Sequence, residues 1–216
     1  MADTTTPLEP VPPGSLVMER PASEAHRRAA VSVVVVDDHA AVRLGLNAAI
    51  SARPGLVCVG ALPDGELLPN LLYRARPDVV VLDYDLPRIN GLELCRWIKA
   101  DVPAPAVVLY SAYADQAMTI PALVAGVDAM VHKGAPAREL FAAIETVAAG
   151  GKDLAAPVPE LAQAAAGAVD PADRALLELL LRHTPPSEAA TRLGLDPAEV
   201  TQRIERMLER LTCSAR

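Results

Sequence analysis

Five short aliphatic runs, rich in valine, recur between residues 31 and 132 and constrain the fold more than any other feature of the chain. Runs that are apolar on both faces are typical of strands buried in a parallel sheet. The predicted strands are Val31–Asp37, Leu56–Ala61, Asp78–Asp83, Ala106–Ser111 and Asp128–His132. Each is followed by apolar residues at helical spacing, and the predicted helices are Ala40–Ser51, Leu67–Ala75, Leu92–Ala100, Gln116–Ala125 and Ala137–Ala149. This alternation predicts an α/β fold with a doubly wound, five-stranded parallel sheet.

The rest of the chain divides around that domain. Residues 1–30 are rich in proline and lack periodicity, which predicts a disordered N-terminal tail. Residues 31–151 hold the α/β domain, and residues 152–168, rich in alanine and proline, are predicted to be a linker. Residues 169–216 contain three helical patterns and predict a small all-α domain.

Composition and charge exclude several classes of protein. The net charge is −7, and the tail, the α/β domain and the C-terminal part each carry more acidic than basic residues, which counts against strong non-specific nucleic-acid binding. No apolar run approaches the ~18 residues of a membrane helix, and the first 30 residues lack the apolar centre of a secretory signal. Three scattered cysteines fit neither a disulfide framework nor a zinc motif. We therefore expect no membrane association and a reducing, cytoplasmic location.

Polar side chains follow four of the five predicted strands, where sites form in doubly wound sheets. They are Asp37 and Asp38, Asp83 with Asp85, Ser111, and Lys133. Crowded carboxylates repel each other, and Mg²⁺, which prefers oxygen ligands, relieves that repulsion. An aspartate can act as a nucleophile toward phosphorus, and a lysine and a hydroxyl can then hold the phosphoryl oxygens.

These residues resemble the receiver domain of bacterial two-component response regulators. The resemblance covers about Val31–Gly151 and rests on four motifs in order: Asp37–Asp38, VVVLDYDLPRINGLEL around Asp83, YSA at Ser111, and HKGAP at Lys133. It implies a flavodoxin-like receiver in which a sensor histidine kinase phosphorylates Asp83 with Mg²⁺ as cofactor.

The resemblance also implies a role for each motif residue. Asp38 would bind Mg²⁺ directly and Asp37 through water, while Asp83 and the backbone carbonyl of Asp85 complete the metal ligands. Ser111 and Lys133 would contact the phosphoryl group, and Pro87 and Gly91 would shape the loop after the acceptor. The switch pair would be Ser111 and Met130, although the family usually places Tyr or Phe where Met130 stands.

A phosphatase is the rival interpretation of the acceptor motif. DYDL at Asp83–Leu86 is also similar to the DxD nucleophile motif of haloacid-dehalogenase-type phosphatases. In those enzymes the DxD motif opens the chain and the paired acids come last, whereas here Asp37–Asp38 comes first, and no room remains for a cap domain. We therefore expect no enzyme activity beyond the receiver's own phosphorylation and dephosphorylation.

The C-terminal segment Asp170–Leu211 resembles the LuxR-type helix-turn-helix of NarL/FixJ regulators, through VDPADRALLELLL, SEAATRLGL and EVTQRIERMLERL. The candidate DNA contacts are Thr201, Gln202, Arg203, Arg206 and Arg210. The family commonly places a cation where Thr201 and Glu205 stand. Members of that family normally have a fourth helix after these three. It does not fit between Leu211 and Arg216, so the domain is predicted to be truncated at its C-terminus.

Two functions remain open on the sequence. In the first, phosphorylation drives homodimerisation or release of the C-terminal domain, which then binds promoter DNA and controls transcription. In the second, the receiver still switches, but the degenerate helix-turn-helix binds a protein partner and not DNA.

Overall fold

A computed structural model describes residues 30–100 and 103–213 of the chain, so the predicted tail lies almost wholly outside the described residues. Five parallel strands form one sheet in the order β2-β1-β3-β4-β5. They are β1 (Val31–Val36), β2 (Leu56–Leu62), β3 (Val79–Leu82), β4 (Ala106–Ser111) and β5 (Ala129–His132). The helices between and after them are α1 (Ala40–Ala52), α2 (Leu68–Ala75), α3 (Gly91–Ala100), α4 (Gln116–Ala125) and α5 (Ala137–Ala148). The predicted doubly wound fold is confirmed, and each predicted end agrees to within one residue.

The sheet is buried on both faces, which explains why its strands read as continuous apolar runs. Successive side chains of a strand point to opposite faces. One set packs with α1 and α5, and its strand members include Val33, Val35, Val79, Val81 and Val108. The other set packs with α2, α3 and α4, and its strand members include Val34, Val36, Val80, Leu82 and Leu109.

The C-terminal part contains four α-helices among the described residues, one more than the sequence predicts. They are α6 (Pro159–Ala168), α7 (Arg174–Leu180), α8 (Pro186–Leu193) and α9 (Pro197–Cys213), with a 3-10 turn at Pro171–Asp173. Helix α6 falls inside the predicted linker. The start of that linker also lies along β5, because the Met130 N–H donates to the Asp153 carbonyl at 3.3 Å and the Asp153 N–H donates to the Asp128 carbonyl at 2.8 Å.

The C-terminal part packs directly on the sheet domain through α4. All residues of α4 from Met118 to Ala125 are buried, because the sheet domain covers one side of the helix and α6, α7 and α9 contact it from the other. The apolar cluster under α4 therefore continues without a break into the C-terminal domain, where it includes Leu176, Leu177, Ile204 and Met207. An ion pair between Arg96 of α3 and Glu205 of α9 lies at the same junction.

Candidate functional site

Two buried acids and a lysine meet at the carboxyl edge of the sheet. Asp37, directly after β1, is 1% exposed, and Asp83, directly after β3, is 2% exposed. Lys133 follows β5, and its Nζ lies 2.6 Å from Asp83 Oδ2 and 2.8 Å from Asp37 Oδ2. The strand ends thus bring together residues that are far apart in sequence, and the lysine bridges the two carboxylates.

Burial and charge act in opposite directions on this cluster. Burial raises the pKa of Asp83, and the nearby charge of Asp37 adds to that rise, while the hydrogen bond from Lys133 opposes it. For Lys133, burial alone would lower the pKa, but its pairing with Asp37 and Asp83 outweighs burial and raises the pKa. Lys133 therefore remains a cation, and Asp83 gives up its proton less readily than an exposed aspartate.

The same edge holds a group of side chains able to bind a cation. One ligand atom from each of Asp37, Asp38, His39 and Asp83 lies within 4.8 Å of the others. Asp37 Oδ2 pairs with Lys133 but, among the described residues, accepts no properly directed hydrogen bond. A buried carboxylate oxygen with spare acceptor capacity fits a hard cation such as Mg²⁺. The carboxylate of Asp85 lies outside this group, and the backbone of Asp85 acts to lower the pKa of Asp83.

Two residues that the sequence reasoning missed support the acid pair. The His39 N–H donates to Asp37 Oδ1 at 2.9 Å, and His39 Nδ1 lies 2.5 Å from Asp38 Oδ1. Arg43, in the first turn of α1, donates to the backbone carbonyls of Asp37 at 2.7 Å and Asp38 at 3.2 Å. The only sequence signal was position: a histidine directly after the acids and an arginine one helical turn later.

The loop after β3 folds back on Asp83. The Gly91 N–H donates to the Tyr84 carbonyl at 2.7 Å. A Cβ on Gly91 would lie 2.2 Å from the backbone oxygen of Asp83 and 2.8 Å from the Cα of Tyr84, so no side chain fits there. Next to Pro87, Arg88 adopts a left-handed conformation with φ of 71° and pairs with Asp64 at 3.3 Å.

The predicted switch residues lie on the neighbouring strands. Ser111, at the end of β4, is fully buried; its Oγ accepts the Tyr113 N–H at 3.1 Å, and its carbonyl accepts the Lys133 N–H at 2.9 Å. Tyr113 is exposed and makes an edge-to-face contact with Tyr84 at 6.2 Å between ring centroids. Met130 is half-buried on the α4 side of β5.

The candidate DNA contacts on α9 fall into two groups. Thr201, Gln202, Arg206 and Arg210 are exposed. Arg203 instead bonds within its own domain: its guanidinium lies 2.6 Å from Glu199 and 3.2 Å from Asp173, and these acids raise its pKa further above its already high ordinary value. This engagement differs from the free contact that the sequence predicts.

Comparison with known proteins identifies the family of the sheet domain. Residues 33–145 match the response regulator receiver domain family. The chain belongs to the response-regulator family.

Several relatives of this response regulator are similar over most of its length. The DNA-binding transcriptional activator DevR/DosR of Mycobacterium tuberculosis is 33% identical over 191 residues, 84% of this chain and 88% of that protein. The transcriptional regulatory protein UhpA of Salmonella typhimurium is 33% identical over 189 residues, 85% of this chain and 93% of that protein. The crystal structure of a LuxR-family response regulator from Aurantimonas sp. SI85-9A1 matches with 31% identity and a TM-score of 0.55, over 62% of this chain and 94% of that one. These matches place the response regulator in the NarL/FixJ group.

None of the helices described between residues 30 and 213 combines the length and apolar character needed to cross a bilayer.

Proposed function

We propose that this response regulator accepts a phosphoryl group on Asp83 from a sensor histidine kinase, in a reaction that requires Mg²⁺. The observation that carries the proposal is the position of Asp83, buried between a second acid and a lysine whose Nζ is 2.6 Å away. Lys133 does not compete as a nucleophile, because its two acidic partners hold it as a cation.

The proposed reaction assigns one task to each side chain. An oxygen of Asp83 attacks phosphorus, so that an O–P bond forms while the N–P bond of the phosphohistidine donor breaks. Lys133 then pairs with a phosphoryl oxygen, and the Ser111 hydroxyl donates to another. Mg²⁺ held by Asp37, Asp38, Asp83 and the Asp85 carbonyl would offset the charge of the phosphoryl group.

Labelling with a small phosphodonor such as acetyl phosphate tests this assignment. We expect Asp83→Asn to abolish acid-labile phosphate incorporation, and Asp38→Ala to lose most of it together with the Mg²⁺ requirement. Glu93→Gln, an exposed acid of α3, is the matched control and should label like the wild type. Label that persists in Asp83→Asn would show that another residue is the acceptor.

We propose further that phosphorylation frees α9 from α4 and that the C-terminal domain then binds promoter DNA, as a homodimer, to control transcription. The contacts would come from Thr201, Gln202, Arg206 and Arg210, with Arg203 joining them if it leaves its internal partners. The relatives support this function, since DevR/DosR is named a DNA-binding transcriptional activator and UhpA a transcriptional regulatory protein. On this proposal the receiver, residues 31–151, acts in the cytoplasm and has no enzyme activity beyond its own phosphorylation and dephosphorylation.

Binding of the C-terminal domain to a protein is the second candidate, and two observations on α9 favour it. Glu205 puts a negative charge on the helix that would enter the DNA groove, and Arg203 is committed to Glu199 and Asp173. Heparin retention and mobility shift at low salt separate the two functions, because DNA affinity rises steeply as salt falls. Binding in the beryllofluoride-activated state supports the DNA function, and its absence in both states supports the protein partner.

A further inference from the structure

A groove of about 970 Å³ crosses the edge of the sheet opposite the acceptor site. It is bounded by the ends of α2, α3 and α5 and by the segments that lead into β3, β4 and β5. Two aromatic side chains line it, Tyr73, which is 81% exposed, and Trp97, which is 44% exposed. The chain has only one Trp, one Phe and four Tyr, so this groove exposes two of its six aromatic side chains of these types.

The groove lies where the chain enters the fold. Val31 opens β1, and the next residue, Ser32, donates its N–H to Asp78 Oδ2 at 2.8 Å and its hydroxyl to the same oxygen at 2.6 Å. Asp78 is part of the groove wall. The residues before Val31 therefore start beside the groove, at its rim.

The composition of that preceding segment complements the groove. Between Thr4 and Gly14 the sequence is TTTPLEPVPPG, with four prolines and one acid, Glu9, and no lysine or arginine precedes Arg20. Proline-rich peptides dock on grooves lined by aromatic rings, because they already favour the extended polyproline II conformation and lose little conformational entropy on binding.

The described part of the groove wall carries three cations, Arg76, Lys99 and Lys152, and two acids, Asp78 and Asp128. Arg76 is exposed on this wall, whereas Lys152, whose side chain is 43% exposed, is paired with Asp128. Of the two acids on the described part of the wall, Asp128 is 3% exposed and also lies 2.5 Å from Lys99, while Asp78 is exposed and accepts from Ser32. A proline-rich segment with one acid therefore meets two rings and the exposed Arg76 there.

We propose that the segment Thr4–Gly14 docks in this groove of its own chain, with prolines against Tyr73 and Trp97 and Glu9 near Arg76. The residues between Gly14 and Val31 can span on the order of 50 Å, more than the groove requires. A ligand tethered at that length acts at roughly millimolar effective concentration, so a weak intrinsic affinity is sufficient. The docked segment would cover the edge opposite Asp83 and leave the acceptor site open.

Fluorescence of Trp97, the single tryptophan, tests the proposal on the full-length protein. When residues 2–19 are replaced by a Gly/Ser sequence of equal length, we expect acrylamide quenching of Trp97 to rise. The rise should be about twofold if the wild-type segment occupies the groove half of the time. A synthetic peptide of residues 4–14, added to that variant, should lower quenching again. Phosphodonor labelling of both proteins checks that the receiver remains folded.

A charge exchange tests the partner of Glu9. Glu9→Lys and Arg76→Glu should each raise quenching, and the double variant should return it toward the wild-type value. Equal quenching of the wild-type and Gly/Ser chains would overturn the proposal. Protection that depends on protein concentration would also overturn it, because the segment would then occupy the groove of a second copy. If the double variant did not restore protection, the proposed contact between Glu9 and Arg76 would be wrong.

Discussion

Asp83 carries the proposed chemistry in surroundings that disfavour its charge. Its burial and the neighbouring Asp37 raise its pKa, and Lys133 only partly offsets them. The folded chain therefore binds the Asp83 proton more tightly than the unfolded chain does. The stability that this proton contributes is present below the ordinary pKa of an aspartate and is lost as the pH rises through the raised pKa.

Because the charged form of Asp83 destabilises the fold, we predict that Asp83→Asn is more stable than the wild type at pH 7. The difference should disappear below about pH 4, the ordinary aspartate pKa. Thermal unfolding across this pH range, without Mg²⁺, measures the effect. The exposed control Glu93→Gln should show no such trend. A lower melting temperature for Asp83→Asn at pH 7 would mean that its pairing with Lys133 outweighs the cost of burial.

The close approach at Gly91 gives a second prediction. Gly91→Ala would place a methyl group 2.2 Å from the backbone oxygen of Asp83, so the loop or Asp83 must move. We expect a loss of about 1–3 kcal/mol in the free energy of unfolding and slower phosphodonor labelling. Gly45→Ala is the matched control: nothing lies within 4 Å of the new methyl group, and α1 should gain about 0.5–1 kcal/mol.

At the residue scale, the sequence predicted the acids and the lysine because strand ends of a parallel sheet converge on one edge. It did not predict His39 or Arg43 as supports of the acid pair. Their contacts depend on the path of the loop between β1 and α1, which no periodicity encodes. Nor did it predict that Arg203 would turn inward to Asp173, since a surface arginine on a helix has the same sequence signature whether it faces solvent or a neighbouring acid.

At the scale of elements, α9 has two sets of neighbours. It packs with α8 in its own domain and with α4 of the receiver. Its apolar spacing predicted burial correctly but could not say which elements would provide the cover. The same limit applies to α6, whose short alanine-rich sequence resembled a linker and which in fact rests on α4.

We predict that Glu205→Arg weakens the contact between α9 and the receiver, because it replaces the ion pair to Arg96 with a repulsion. Heparin retention of the unphosphorylated protein should increase beyond that of the control Glu209→Arg. The control makes the same change of charge one helical turn later, at an exposed position of α9. Equal retention of the two variants would show that only net charge, and not release of α9, is being measured.

At the scale of the whole molecule, one apolar cluster joins the receiver to the C-terminal domain. Length and patterning predicted two folded units joined by a linker. They could not predict that the units share a core, because contacts between elements remote in sequence leave no local signal. Described residues of the predicted linker take part in this joint, through Leu154 and Ala165 in the cluster and Asp153 beside β5.

We therefore predict a single cooperative thermal transition for the unphosphorylated wild type, measured by scanning calorimetry. Glu205→Arg, or beryllofluoride with Mg²⁺, should divide it into two transitions, because each unit then unfolds without the other's support. Two transitions in the untreated wild type would contradict the shared core, and one transition in every state would contradict release of α9.

The burial of α9 against α4 also lets a ligand of α9 influence the receiver. When α9 is packed on the receiver it cannot bind an external ligand at the same time. The free energy of the contact between α9 and α4 is therefore subtracted from the binding free energy of that ligand. Thermodynamic linkage makes this effect mutual. If phosphorylation frees α9 as proposed, whatever captures α9, nucleic acid or protein, tightens the binding of the phosphoryl mimic to the receiver by the same factor, so that an occupied target would itself help to keep the signal switched on.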